Sequence, residues 1–238
     1  MADVRHAVYC GTRNIYGDME TAAKSLVANS NVDVVHFLIE DAEFPHDLPS
    51  IVQCHDVSGQ TFFPQGGPNM GTKYTYMVLM RAALCHVLPD LDKVLSLDCD
   101  TVAVRDCTYA FDIDVDGCYF AAAQEAWIKR PGTQYCNAGV VLYNLRKLRD
   151  GKADEVIDVL NRRYYKWPEQ DVLNYLCNGR IAELSAEYNW CPWVVKNGVL
   201  NPAIIHYAAR DDWRGEPEAV MYRNMSWDEA MRRHGGAS

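Results

Sequence analysis

Short apolar runs alternate with amphipathic segments through the first 98 residues of the chain. Four runs have the length and β-branched content of buried strands, at residues 6–10, 32–41, 51–57 and 93–98. Two segments between them carry apolar residues at helical spacing: one that Asp18 can cap, and one over 74–88 that Pro89 ends. Strands and helices in alternation predict a largely parallel sheet with helices on both faces.

The alternation loosens after about residue 120. The remaining pattern predicts strands at 120–125, 137–145 and 203–207, and helices over 154–165 and from Pro168 to about Cys177. A loop rich in glycine and proline covers 61–71. Because no internal repeat or linker interrupts the chain, we expect a single domain over residues 1–238 that ends in a polar segment, 214–238.

The composition narrows the class of protein. Hydrophobic residues make up 49% of the chain and charged residues 23%, which is ordinary for a globular protein. No apolar run approaches the ~20 residues of a membrane helix, and the N-terminal residues lack the layout of a signal peptide. The net charge of −9 argues against nucleic acid as a partner, because there is no basic stripe. Peripheral contact with a membrane is not excluded.

The nine cysteines are an odd number and contain no Cys-x-x-Cys pair. This spacing argues against a zinc ribbon and against a disulfide framework. We therefore expect buried thiols and a cytoplasmic location.

Asp98 and Asp100 are the first candidates for chemistry. The chain holds four Asp-x-Asp pairs, but only this one follows a predicted buried strand. Ligands of open parallel sheets bind beyond the carboxyl ends of the strands, which singles out this pair. His206 ends the last predicted strand. Two carboxylates favour Mg²⁺ or Mn²⁺, and an added imidazole favours Mn²⁺.

Six segments of the chain, taken in order, resemble glycosyltransferase family 8. They are HAVYCGTRN at 6–14, RAALCHVLPDLDKVLSLDCDTVAVRD at 81–106, YCNAGVVLYNLRKLR at 135–149, EQDVLNYL at 169–176, AEYNW at 186–190 and IIHYAARDDW at 204–213. That family contains retaining transferases that use nucleotide-sugar donors, among them lipopolysaccharide galactosyltransferases. The resemblance implies an α/β, Rossmann-like GT-A fold with a central mixed, mostly parallel sheet flanked by helices. It also implies a nucleotide-binding half, 1–110, and a sugar and acceptor half, 111–213.

The resemblance implies roles for particular residues. It makes Asp98, Asp100 and His206 the ligands of Mn²⁺, with Mg²⁺ as the alternative. It implies catalytic groups at Asn137, Glu169, Gln170 and Asp171. The residues that it implies for donor binding are Thr12, Asn14, Arg81, Asp98, Cys99, Asp100, Asn137, Ala138, Gly139, Gln170, His206 and Arg210.

Three positions depart from the family pattern. Thr12 and Arg13 stand where acidic residues are usual, which leaves recognition of the base open. Glu169 replaces the usual aspartate and is longer by one methylene. The family's Lys-Pro-Trp reads here as Asp211-Asp212-Trp213, so Arg210 is left to stand in for a phosphate-binding lysine.

The function that the resemblance implies is transfer of a hexose from a UDP-sugar to a hydroxyl acceptor, such as a glycan or a lipid-linked glycan. The stretch up to Thr75 resembles a loop that folds over bound donor. Retention of configuration at the transferred sugar can proceed through a nucleophile of the enzyme. It can also proceed by attack of the acceptor on the same face that the leaving group departs from. The acids of the 169–171 segment also suit the first turn of a helix for purely electrostatic reasons.

Two further interpretations of the residues stay open. LSLDCDTV at 95–102 also satisfies the motif of haloacid dehalogenase-type phosphatases, with Asp98 as the nucleophile. A catalytically inactive nucleotide-binding or glycan-binding homologue is the other.

Among aromatic residues, Tyr188, Trp190 and Trp193 suit either an acceptor platform or the core. The basic residues near the C-terminus, Arg232 to His234, suit a solvated helix end better than a lipid anchor.

Overall fold

A computed structural model describes residues 4–72, 74–125, 134–193 and 201–234. Seven strands form one sheet in the order β3-β2-β1-β4-β7-β6-β8, and two further strands, β5 and β9, form a small second sheet. The strands are β1 (His6–Cys10), β2 (Val34–Ile39), β3 (Val52–Asp56), β4 (Lys93–Leu97), β5 (Thr101–Ala103), β6 (Phe120–Gln124), β7 (Cys136–Asn144), β8 (Ile181–Glu183) and β9 (Ile204–His206). Every strand that the pattern predicts is present, and β5 and β8 are additional.

The main sheet is mixed because of β7. Strands β1, β2, β3 and β4 pair in parallel, as do β6 and β8. Strand β7 runs antiparallel to both β4 and β6, with Leu97 opposite Val140. The first residues of β7 therefore lie beside the end of β4. The mixed, mostly parallel sheet that the resemblance implies is confirmed.

Eight α-helices flank the sheet in the described part of the chain. They are α1 (Tyr16–Ala28), α2 (Met77–Met80), α3 (Leu84–Val87), α4 (Leu145–Leu148), α5 (Lys152–Arg162), α6 (Pro168–Leu176), α7 (Pro217–Asn224) and α8 (Trp227–Arg233). Helix α1 begins at Tyr16, so Asp18 lies in its first turn and does not cap it. The helix expected over 74–88 is divided into α2 and α3 by a 3₁₀ turn at residues 81–83.

The helices bury the sheet on two sides. Helices α7 and α8 both contact α1, and the three helices cover a core that contains Tyr9, Leu26 and Tyr222. Helices α5 and α6 pack together on the other side, over a core that contains Val8 and Val141. Helices α7 and α8 occupy most of the C-terminal segment that was expected to be polar. Helix α8 buries Ala230 against α1 and ends at exposed Arg233.

Two expectations fall partly outside the described residues: the loop proposed to fold over donor, which includes Lys73, and the C-terminal polar segment, which includes residues 235–238. Among the residues that are described, none of the helices combines the length and apolar character needed to span a lipid bilayer.

Candidate active site

Three candidate metal ligands meet at the carboxyl end of β4. Asp98 and Asp100 lie in the turn between β4 and β5, and His206 is the last residue of β9. Pairing of Thr101 with His206 across the small sheet carries the imidazole to the two acids. One ligand atom from each side chain lies within 4.8 Å of the others. His206 Nε2 is 3.4 Å from Asp98 Oδ2 and 3.3 Å from Asp100 Oδ1.

Asn189 determines which nitrogen of His206 faces the acids. Its Nδ2 donates to Asn137 Oδ1 at 2.9 Å, which leaves its Oδ1 as the acceptor for His206 Nδ1, 2.8 Å away. Since Nδ1 must then carry a proton, Nε2 is the nitrogen that faces the carboxylates. A histidine ligand oriented by a hydrogen bond at its other nitrogen is the usual arrangement in metal sites. Sequence reasoning gave Asn189 no role.

Gly139 leaves space for the histidine ring. A Cβ atom built on Gly139 would overlap the imidazole of His206. The Gly139 carbonyl also accepts a hydrogen bond from the Asp98 backbone N–H at 2.8 Å. Glycine at this position therefore lets β7, the turn after β4 and His206 approach one another closely.

Opposite charges shift the pKa values of the cluster. Burial lowers the pKa of His206, but Asp100 and Asp98 outweigh it and hold that pKa well above the ordinary value. Burial alone would raise the pKa of Asp98, but Arg81 and His206 outweigh it, so that pKa lies below its ordinary value. The Asp98 carboxylate is therefore held ionised, as a cation ligand must be.

Arg81 connects the metal cluster to helix α6. Its Nη1 forms an ion pair with Asp98 Oδ1 and donates to the Ala138 carbonyl at 2.9 Å, while its Nη2 donates to Glu169 Oε2 at 2.8 Å. Tyr143 donates to the other oxygen of Glu169 at 3.1 Å. Burial raises the pKa of Glu169 to about 7 although Arg81 acts against it. Arg81 and Glu169 are thus buried partners that hold Asp98.

The first turn of α6 contacts the start of β7. Gln170 Oε1 accepts from the Ala138 backbone N–H at 2.9 Å, so the glutamine amide lies against the Asn-Ala-Gly segment. Asn137 Nδ2 donates to Glu125 Oε2 at 2.8 Å. Asp171 accepts from the Tyr135 hydroxyl at 2.7 Å. Gln170 and Asn137, two of the predicted catalytic residues, are therefore neighbours, and Glu125 is an acid that sequence reasoning did not include.

The predicted donor residues after β1 are placed at the same edge of the sheet. The Thr12 hydroxyl donates to Asn14 Oδ1 at 2.6 Å, and exposed Arg13 forms an ion pair with Asp41 after β2. Cys99 Sγ lies 3.5 Å from the Cys10 carbonyl oxygen. Strands β1 and β4 are adjacent and parallel, so their ends bring these residues beside the acid pair.

Arg210 is held by acids of its own segment. It donates to both oxygens of Asp212, at 2.7 and 2.6 Å, and pairs with Glu216 at 3.0 Å. Its guanidinium lies 5.3 Å from the centre of the Trp193 ring. Donor binding by Arg210 stays a prediction.

The aromatic residues considered for an acceptor platform do not share one exposed face. Tyr188 is buried in the core, while Trp190 and Trp193 are half-buried and pack against the same core. Trp193 contacts Tyr207, with ring centres 6.3 Å apart. The core interpretation fits Tyr188.

Comparison with solved structures identifies the fold. The glycosyltransferase GlyE of Streptococcus pneumoniae TIGR4 superposes with a TM-score of 0.72 at 20% identity, covering 97% of this chain and 63% of that one. The galactosyltransferase LgtC, solved with donor and acceptor sugar analogues, gives a TM-score of 0.73 at 20% identity over 98% and 96% of the two chains. The chain adopts the GT-A fold of these glycosyltransferases.

The sequence gives the family. The model described as Glycosyl transferase family 8 matches residues 6–211, and the chain belongs to that family. Relatives include the glycosyltransferase GlyB of Streptococcus pneumoniae serotype 4, 29% identical over 51% of this chain and 34% of that protein. A lipopolysaccharide 1,2-glucosyltransferase of Escherichia coli K12 is 34% identical over 42% of this chain and 33% of that protein. The matches span less than half of the curated relatives they were found in, from 23% to 48% of their length.

Proposed function

We propose that this chain transfers a hexose from a UDP-sugar to a hydroxyl group of a carbohydrate or other acceptor, with retention of configuration. The observation that carries the proposal is the meeting of Asp98, Asp100 and His206 within 4.8 Å in a chain of glycosyltransferase family 8. Similar proteins named as a glucosyltransferase and a galactosyltransferase support a hexose donor.

The three side chains fit a divalent cation. Two carboxylates and one imidazole are the donor set that suits Mn²⁺, with Mg²⁺ as the alternative. The proton on His206 Nδ1, shared with Asn189, leaves the Nε2 lone pair available to a metal. A bound cation would stabilise the negative charge that develops on the departing diphosphate.

The protein groups around Ala138 are proposed to hold the donor sugar. The small side chains of Ala138 and Gly139 let backbone approach the sugar ring. Gln170 and Asn137 present amide groups beside that backbone, and the Asp171 carboxylate lies one residue further along α6. Carbonyl and carboxylate oxygens at this place would stabilise the positive charge that builds on the ring as the anomeric bond breaks.

Release of UDP from UDP-glucose and UDP-galactose, measured with Mn²⁺, Mg²⁺ or chelator, tests the proposal. We expect activity that chelator abolishes and that Asp100→Ala lowers by at least about a hundredfold, because losing a direct ligand costs more than losing a group that only hydrogen-bonds a ligand. Asp90→Ala is the matched control, since exposed Asp90 belongs to another Asp-x-Asp pair. Release of UDP at an unchanged rate, both with chelator and in Asp100→Ala, would refute the proposed metal role.

The other interpretations give different results. The family match assigns the chain to a class other than the haloacid dehalogenase-type phosphatases. In an inactive homologue, UDP with Mn²⁺ would raise the melting temperature while no UDP-sugar would release UDP.

The proposed location is the cytoplasm, which is supported by nine cysteines that all carry free thiols.

A further inference from the structure

The diphosphate of a nucleotide donor needs positive charge on the side away from the metal ligands. This requirement rests on the proposed function. The candidates to meet it are the basic side chains of the described residues. Arg81 and His206 contact the acid pair directly, but only 6% and 3% of their side chains are exposed. Asp98, Ala138 and Glu169 already occupy the guanidinium of Arg81. Neither group is free to meet a phosphate.

Arg214 is different in exposure and in hydrogen bonding. Its Nε donates to Asp18 at 2.9 Å and its Nη2 donates to the same carboxylate at 2.5 Å. Among the described residues, none accepts a hydrogen bond from Nη1, and 46% of the side chain is exposed. One edge of the guanidinium is therefore hydrogen-bonded to Asp18, and the Nη1 side is available to bind a ligand.

Asp18 fixes Arg214 at the edge of the sheet where the candidate site lies. Asp18 belongs to the first turn of α1, shortly after the carboxyl end of β1. The Arg214 guanidinium also lies 5.5 Å from the centre of the Trp213 ring. An ion pair on one side and an aromatic ring on the other restrict the side chain, which lowers the entropy lost when it binds an anion.

A short series of contacts connects Arg214 to Asp100. Trp213 stacks on Tyr207 with ring centres 5.7 Å apart, and the Tyr207 backbone N–H donates to the Asp100 carbonyl at 2.9 Å. The hydrogen bond with Asp18, and then the charges of Asp18 and Asp100, raise the pKa of Arg214 above its ordinary value. The stacked rings and the backbone hydrogen bond thus place the segment that carries Arg214 beside the turn that carries Asp100.

We infer that Arg214 is the cationic side chain that binds the diphosphate of the nucleotide donor, and that Asp18 positions it. A guanidinium that offers a planar edge is well suited to phosphate oxygens. Arg210, the residue expected from the sequence to do this, pairs with two carboxylates, Asp212 and Glu216, whereas Arg214 pairs with Asp18 alone. The charge of Arg210 is therefore offset twice, and its side chain is less exposed, 33% against 46%.

Binding of inorganic pyrophosphate in the presence of Mn²⁺, measured by calorimetry on the whole chain, tests the assignment. This probe contains no base and no sugar. We expect Arg214→Gln to weaken pyrophosphate binding by about ten- to a hundredfold, the range of a charge-assisted hydrogen bond. Arg214→Lys should give an intermediate affinity, because lysine keeps the charge but has no planar edge and cannot form both hydrogen bonds to Asp18. The wild-type affinity is expected to fall more steeply with salt than that of Arg214→Gln.

Two further arginines make the result specific. Arg233→Gln is the matched control, because 47% of the Arg233 side chain is exposed and it is paired with Glu229 on α8. It is expected to leave the affinity within about twofold of the wild type, well below the effect of a charge-assisted contact. A loss confined to Arg210→Gln, or an unchanged affinity in Arg214→Gln, would overturn the inference. Melting temperatures of all variants separate a loss of binding from a loss of folding.

The outcomes also separate this inference from the proposed function. Weakened pyrophosphate binding in Arg214→Gln, together with no release of UDP from any UDP-sugar, would support the role of Arg214 and refute sugar transfer. Release of UDP by the wild type, with full pyrophosphate affinity in Arg214→Gln, would refute the role of Arg214 alone.

Discussion

A single hydrogen-bonded series, from Asn137 through Asn189 to His206, gives the candidate metal site its chemical character. Each amide has both a donor and an acceptor, so fixing one end of Asn189 fixes the other. With Nδ2 on Asn137, the only group left to face His206 Nδ1 is the Asn189 carbonyl oxygen. Asn137 and Asn189 thus fix which nitrogen of His206 faces Asp98 and Asp100.

Asn189→Leu is expected to reduce Mn²⁺ affinity by about ten- to a hundredfold, the usual effect of losing the group that hydrogen-bonds the other nitrogen of a histidine ligand. Leucine keeps the volume of the side chain but cannot accept a hydrogen bond from His206 Nδ1–H. Titration calorimetry with Mn²⁺ measures the change. Asn189→Asp, which retains an acceptor oxygen, is expected to stay much closer to the wild type; equal losses in the two variants would contradict the role of the hydrogen bond.

Gly139→Ala is expected to lower the free energy of unfolding by about 1–3 kcal/mol, because the added methyl group overlaps the His206 ring. Mn²⁺ binding should be lost with it, since the ring must move away from the acids. Urea denaturation gives the stability and calorimetry the binding. Gly17→Ala is the control: its Cβ meets nothing within 4 Å in helix α1, so the variant should be more stable by up to about 1 kcal/mol.

Strand β7 shows which part of the architecture local pattern can predict. The pattern gives the position of β7 to within one residue, since its apolar run is continuous. Its direction depends on pairing with β4 and β6, which are distant in sequence, so alternation of strands and helices suggested only a largely parallel sheet. The reversal is what brings Asn137 to Gly139 beside Asp98.

Three neighbouring strands carry a row of histidines that hydrogen-bond through their rings. His6 Nδ1 is 3.0 Å from His36 Nε2, and His36 Nδ1 is 3.0 Å from His55 Nε2. Burial, and then the two neighbouring rings, lower the pKa of His36 to about 3. The row joins β1, β2 and β3 by side chains that must be neutral in the folded chain.

The stability of the protein should therefore decrease in acid. Above a pH of about 6.5 His36 is neutral in both states; between about 6.5 and 3 only the unfolded chain takes up the proton, so the free energy of unfolding falls by up to about 1.4 kcal/mol per pH unit. Urea denaturation at several pH values should show a shallower slope for His36→Val. His234→Gln, outside the row, should retain the wild-type slope; identical slopes in all three proteins would contradict this origin.

At the scale of the whole molecule, the candidate site joins elements that are far apart in the chain. Asp98 and His206 could be proposed from the sequence because each follows or ends an apolar strand and because the family resemblance groups them. Their meeting depends on the antiparallel pairing of β5 with β9 in the small sheet, which the local pattern does not predict. Glu125, Tyr143 and Asn189 could not be proposed from the sequence, because single polar residues at these positions have no periodic signature. Their roles appear only when β6, β7 and the turn before β9 are packed together.

The same convergence predicts that ligands stabilise the entire fold. UDP with Mn²⁺ at about 100 times the dissociation constant adds about 2.7 kcal/mol, which in a chain of this size raises the melting temperature by about 5–11 °C. Differential scanning fluorimetry should show this shift for the wild type and for Asp90→Ala. Asp100→Ala, or chelator added to the wild type, should remove most of it, since Asp100 and His206 are two of the three proposed ligands and come from segments more than 100 residues apart in the chain. An undiminished shift in chelator would mean that UDP binds without the metal cluster.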